Sequence, residues 1–144
     1  MTKASLRSSL IVLACGAALA LATPSMAAMV NLKADLKASS EVPPNESKGT
    51  GSVTATFDTD SNKLSWKGTV SGLSGPVTAA HFHTADVGRN GAVAVAIIGA
   101  DKGAFEGSAT LTDTQAEDLM AGKWYVNIHT AAYKAGEIRG QVTR

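Results

Sequence analysis

The chain has 144 residues, of which 44% are hydrophobic and 17% charged, with 13 basic and 12 acidic residues for a formal charge of +1. So even a balance supplies no basic field for nucleic acid, and a single cysteine excludes both a disulfide framework and a thiolate metal cage. The length suits one domain of ordinary size behind a leader and leaves no room for a second.

The leader comes first. Lys3 and Arg7 make a basic start, and an almost unbroken apolar run from Leu10 to Ala22 ends before Thr23 and Pro24, the layout of a secretory signal. Ser25 and Ala27 flank Met26, which places cleavage after Ala27, with the bond after Ala28 as the near alternative. Residues 1–27 are thus expected to be a signal peptide and residues 28–144 the exported domain, periplasmic or secreted. An uncleaved anchor is disfavoured because the apolar run falls short of the roughly 20 residues that span a bilayer, and no later segment is long and apolar enough to do so. Cys15 lies inside the run and leaves with it. Cleavage also removes Lys3 and Arg7, taking 13 basic residues to 11 against 12 acidic ones and the charge from +1 to −1.

Beyond the leader, short runs rich in Val, Thr and Ala alternate with Gly, Pro, Asn and Asp, which reads as strands joined by turns. The candidate strands are residues 30–36, 52–58, 63–70, 77–83, 92–98, 104–111, 124–129 and 137–142. Turn residues separate them at Asp60-Ser61-Asn62, Ser74-Gly75-Pro76, Gly88-Arg89-Asn90-Gly91, Asp101-Lys102-Gly103 and Ala135-Gly136. Residues 39–46 form a loop, since Pro43 and Pro44 exclude a central strand. One segment departs from the pattern: Thr112 and Gln115 have capping-box spacing, Ala116, Leu119 and Met120 recur at helical spacing, and Gly122 sits where a C-terminal cap belongs. A short helix over residues 113–121 follows. About eight short strands with one helix predict an all-β sandwich or barrel.

All three histidines fall in two of these strands, in Ala80-His81-Phe82-His83 and in Tyr125-Val126-Asn127-Ile128-His129. Residues two apart in a strand share a face at about 7 Å, given about 3.3 Å rise per residue, so His81 and His83 can converge on one ion while Ala80 and Phe82 enter the core. In the second strand Val126 and Ile128 face inward and Tyr125, Asn127 and His129 outward. The last strand alternates likewise, with Ile138 and Val142 inward and Glu137, Arg139 and Gln141 outward. If these strands form a hairpin, Glu137 comes near His129, as a ligand or as a partner that holds an imidazole tautomer. Two plainer readings stand beside these. The His-x-His pair also fits a hydrogen-bonded surface feature, and for Glu137 and for Arg139 the plainer reading is a cross-strand ion pair on a solvated face. Trp66 and Trp124 read as packing residues.

The runs Glu41-Val42-Pro43-Pro44, Gly72-Leu73 through Ala79-Ala80-His81-Phe82-His83, and Tyr125 through Thr130 to Gly136-Glu137-Ile138-Arg139-Gly140-Gln141 resemble the CHRD domain. That family takes its name from chordin, an extracellular antagonist of bone morphogenetic proteins, and includes short secreted bacterial chains. The resemblance implies an immunoglobulin-like or superoxide-dismutase-like Greek-key sandwich, through a distant similarity to copper/zinc superoxide dismutases. By it, His81 and His83 match the dismutase His-x-His pair and His129 the late copper ligand. A dismutase also has a bridging histidine, further zinc ligands and usually a disulfide, and here a fourth histidine is missing. A two-metal site cannot be assembled, and the spacing of Arg139 from the terminal glycine does not support transfer of the dismutase arginine's role.

Two function classes follow. One is an exported metal-binding protein with a mononuclear site of His81, His83 and His129, with Glu137, Tyr125, Asn127 and Arg139 as further or supporting residues. Copper is favoured because imidazole-rich sites bind Cu(II) most tightly among divalent first-row ions, and zinc is the runner-up. Were this an enzyme, it would be a copper-dependent oxidoreductase. The other class is a non-catalytic extracellular interaction module with structural histidines. A hydrolase finds no nucleophile motif, and edge strands that can pair would allow a homodimer.

Overall fold

Period-two alternation carries most of the architecture. In the computed structural model, which describes residues 28–144, eight strands form: β1 (Met29–Lys37), β2 (Thr50–Asp58), β3 (Lys63–Ser71), β4 (Val77–Thr84), β5 (Ala92–Ala96), β6 (Ala104–Thr110), β7 (Trp124–Thr130) and β8 (Ile138–Gln141). The expected leader lies outside the described residues. One helix, α1 (Asp113–Met120), stands between β6 and β7, closed by a reciprocal capping box between Thr112 and Gln115. Short 3-10 turns follow β1 and precede β6.

Every strand pairing is antiparallel, in the order β5-β4-β7-β8-β1-β2-β3-β6. The neighbours β3–β6, β4–β7 and β8–β1 are not consecutive in sequence, so the meander β1-β2-β3 and the hairpin β4-β5 are joined by Greek-key crossovers. The two edge strands, β5 and β6, are linked directly through residues 97–103, so the sheet rolls into a nearly closed sandwich or barrel. Gln115 of α1 donates to the carbonyl of Ala94 on β5 at 3.2 Å, tying the helix to that edge.

One core fills the interior. Leu32, Leu36, Val53, Phe57, Leu64, Trp66, Phe82, Trp124, Val126, Ile128 and Ile138 are all buried. Phe82 of β4 meets Trp66 of β3 edge to face at 5.1 Å between ring centroids and Trp124 of β7 at 5.7 Å. Both tryptophans are therefore core residues, and the two halves of the sheet are joined through Phe82. That placement fixes the site as well. With Phe82 inward, His81 and His83 on either side must face outward.

Among the described residues no helix is long and apolar enough to cross a membrane.

Candidate metal centre

Register brings the two histidine strands together. In the β4–β7 ladder His83 lies opposite Tyr125, His81 opposite Asn127 and Ala79 opposite His129, so His129 is the diagonal neighbour of His81 on the outer face. Diagonal neighbours are within reach of long or aromatic side chains. His81 Nδ1 lies 3.3 Å from His129 Nε2, and one nitrogen from each of the three rings falls within 4.8 Å of the others. Metal–nitrogen bonds of about 2.0–2.1 Å put two ligand atoms at most about 4.2 Å apart. The first pair already has ligand spacing, and the widest must close by roughly half an ångström to reach that limit.

Two of the three tautomers follow from chemistry. His83 Nδ1 is 3.0 Å from the carbonyl of Gly91, and His129 Nδ1 is 2.9 Å from the carbonyl of Lys134. A carbonyl only accepts, so both Nδ1 atoms carry the proton and both Nε2 atoms keep their lone pairs. His83 Nε2 is buried and has no hydrogen-bond partner among the described residues. The 3.3 Å contact accommodates His81 Nδ1–H as a donor to His129 Nε2, and moving that proton to the far side of the His81 ring leaves three lone pairs converging. Burial, then the neighbouring His129, pushes His81 below the ordinary imidazole value. Burial also lowers His83, against the bond to Gly91, with His81, His129 and Arg139 adding to the depression. Both rings are thus held in the neutral form that ligates.

Behind the histidines the outer face is covered rather than solvated. Tyr125 stacks on His83 with ring centroids 4.8 Å apart and planes 3° from parallel, and the Arg139 guanidinium lies 4.0 Å from the centre of the Tyr125 ring. Arg139 Nε is 3.3 Å from a Glu41 carboxylate oxygen, a contact of charges rather than an aligned hydrogen bond. Asn127 donates to the other Glu41 oxygen. Burial pushes the Glu41 carboxyl up to about 7, against the pull of Arg139 and Asn127. Tyr125, Asn127 and Arg139 are therefore on the expected face, but the loops after β1 and after β4 bury it.

Glu137 does not join them. Its carboxylate accepts from Ser47 Oγ, Ser74 N, Ser74 Oγ and Thr130 Oγ1, all within 2.7 Å. The hairpin of β7 and β8 forms as expected, but regular alternation starts only at Ile138. The chain arrives through Gly136, with φ 138°, and Glu137 sends its side chain to core-facing Thr130 instead of His129. Neither residue sits in a solvated cross-strand ion pair: Glu137 is held by hydroxyls and the Ser74 N–H, and Arg139 faces Glu41, which comes from the loop after β1. Sequence reasoning missed Glu41 as the partner of Arg139, and the carbonyls of Gly91 and Lys134 as the groups that orient the rings. The acidic residue directly before Val42-Pro43-Pro44 was the one available signal.

The fold and the site define a Greek-key β-sandwich domain bearing a three-histidine group able to hold a metal ion. A model of the CHRD domain matches residues 32–142, nearly all of the described chain, and the protein belongs to that family. No curated protein and no solved structure matches it.

Proposed function

We propose that this chain is an exported metal-binding protein whose mononuclear centre is formed by His81, His83 and His129, with copper as its metal. The observation that carries the reading is the buried, unpartnered lone pair of His83 Nε2 beside the two other imidazoles. An unpaired buried polar atom costs about 1–3 kcal/mol, which coordination would recover. The donor set of three neutral imidazoles, without thiolate or adjacent carboxylate, favours Cu(II) over Zn(II) by the ordinary order of divalent affinities. Bound there, copper would supply Lewis acidity or one-electron chemistry. The chain's own residues orient the rings through Gly91 and Lys134 and shield one side with Tyr125. The leader and the family support export, and a periplasmic or secreted site meets metals outside the thiol-rich cytoplasm.

The test is to equilibrate the purified domain with one equivalent of Cu(II), desalt it, and record retained metal and the electron paramagnetic resonance spectrum beside a His81→Ala, His83→Ala double variant. Equal loss of copper from both proteins sinks the reading. Competition with Zn(II) decides the metal, superoxide turnover separates an enzyme from a carrier, and N-terminal sequencing of the exported protein should begin at Ala28 or Met29.

A second reading, a non-catalytic extracellular interaction module or homodimer, is supported by exposed Val93 on edge strand β5 and by exposed Val87 and Ile98 in its flanking loops. Sedimentation of wild type against Val93→Lys tests it.

A further inference from the structure

We propose that Arg139 is the positioning residue of the histidine centre, fixing the tautomer and ring orientation of His83 through the loop between β4 and β5. The proposal rests on the metal-binding reading for its purpose, though not for its geometry.

His83 donates Nδ1–H to Gly91 O, so wherever that carbonyl sits, the ring must follow. Gly91 is held in turn from two directions. Its N–H donates to Tyr125 Oη at 3.2 Å, and Tyr125 is the ring that stacks on His83. Just before it in the chain, Arg89 O accepts from Arg139 Nη1 at 2.9 Å, and Asn90 Oδ1 accepts from Arg139 Nη2. Asn90 also donates to Val42 O at 3.0 Å, binding this loop to the one that carries Glu41.

Apart from Ala85 at its start, whose N–H donates to Lys123 O and whose carbonyl accepts from Gln141 Nε2, nothing else among the described residues fastens the loop. Residues 86–90 are all exposed, and the backbone hydrogen bond within this stretch is the local turn from Arg89 N to Asp86 O at 3.1 Å. Gly91 itself approaches β4 so closely that a Cβ would collide with the carbonyl of Thr84, and only glycine lets its own carbonyl reach the His83 ring there. A loop of solvated residues has no intrinsic reason to hold one carbonyl against one imidazole. The buried guanidinium supplies that reason.

Arg139 is suited to the task by its fork. One face of the planar group covers Tyr125, two nitrogens hold successive loop residues, and Nε faces Glu41. Lysine has a single rotatable ammonium and cannot make these contacts together. Arg139 thus acts on His83 twice, through the Gly91 carbonyl and through the Tyr125 ring, and touches no ligand nitrogen itself. Its free guanidinium edge is consumed in doing so, which separates this role from the capture of an anionic substrate.

The experiment uses the metal-free domain and the copper-loaded domain of Arg139→Lys and of Asn90→Ala. Asn90 is exposed, so its replacement tests the loop without disturbing the core if Arg139→Lys fails to fold, as judged by circular dichroism. Nitrogen-15 shifts of the His83 ring in the metal-free protein read the tautomer, a signal that a purely stabilising role would not move. The expected result is loss of the single Nδ1–H form at His83 together with Cu(II) affinity about 10- to 100-fold lower, the usual effect of removing a group that orients a ligand. Retention of both the Nδ1–H form and wild-type affinity in a folded variant overturns the proposal. If wild type takes up no copper yet the substitutions still release the His83 tautomer, the metal reading falls and the positioning role of Arg139 stands.

Discussion

Replacing Glu137 by glutamine tests whether the carboxylate buried beneath the loops before β2 and β4 is a structural lock. The residue has no exposed surface and receives four hydrogen bonds of 2.6–2.7 Å, two on each oxygen. Glutamine has the same shape. Its carbonyl can replace the oxygen that faces Ser74 N–H, a donor that cannot reverse, while its amide faces Ser74 Oγ and Thr130 Oγ1, hydroxyls that can rotate to accept. Geometry survives and charge is lost. Charge-assisted bonds are roughly twice as strong as neutral ones, so four of them lose on the order of 4 kcal/mol in gross terms, offset in part because no charge remains buried. A net destabilisation of about 2 kcal/mol follows, and about 4 kcal/mol for Glu137→Ala, which strands the Ser74 N–H. Urea unfolding monitored by fluorescence of Trp66 and Trp124 measures both. The pH dependence adds a second check. Burial raises the Glu137 carboxyl, but the bonds from Ser47, Thr130 and Ser74 outweigh it and hold the group below its ordinary 4.5. A depressed folded value means stability present above about 4.5 and lost as the pH falls through the folded value, so the gap between wild type and Glu137→Gln must narrow in acid. A Gln variant within about 0.5 kcal/mol of wild type at pH 7, or a gap constant from neutral to strongly acidic pH, refutes the lock.

Other predictions concern the core and the centre. Phe82→Ala should destabilise by about 3–5 kcal/mol, because the ring joins Trp66 to Trp124 across the core; a loss under about 1 kcal/mol in the same urea assay would contradict that role. Copper uptake should persist below pH 6.5, the ordinary imidazole value, because His81 and His83 are held below it; a titration of bound copper with its midpoint above 6.5 contradicts this. In the metal-free protein the same depression makes the unfolded chain the better proton acceptor, so the contribution of these rings to stability declines as the pH drops from above 6.5 towards their folded values. Thr112→Ala should cost about 1 kcal/mol through loss of the cap on α1, read as a lower urea midpoint with an unchanged slope.

The strand count, the helix with its cap, and the outward, polar-face position of His81, His83 and His129 on their strands were determined by sequence alone. Pleat period and capping chemistry are local properties, complete within a few residues. The apolar face of each strand settles which side enters the core, but the pairing of β4 with β7 and its register, which bring His129 beside His81, belong to the tertiary structure. The tertiary structure decided everything that depends on loops folding back over that face. Glu41 reaches Arg139, Gly91 and Lys134 orient two imidazoles, and the row of Tyr125, Asn127 and Arg139, read as an outward polar face, lies buried. Glu137 shows the limit most plainly. Alternation assigned it to His129, but a turn at Gly136 ended the pleat one residue early, and a carboxylate that must be satisfied took the hydroxyls of Ser47, Ser74 and Thr130. Those partners come from three separate segments, and only the packed chain brings them together.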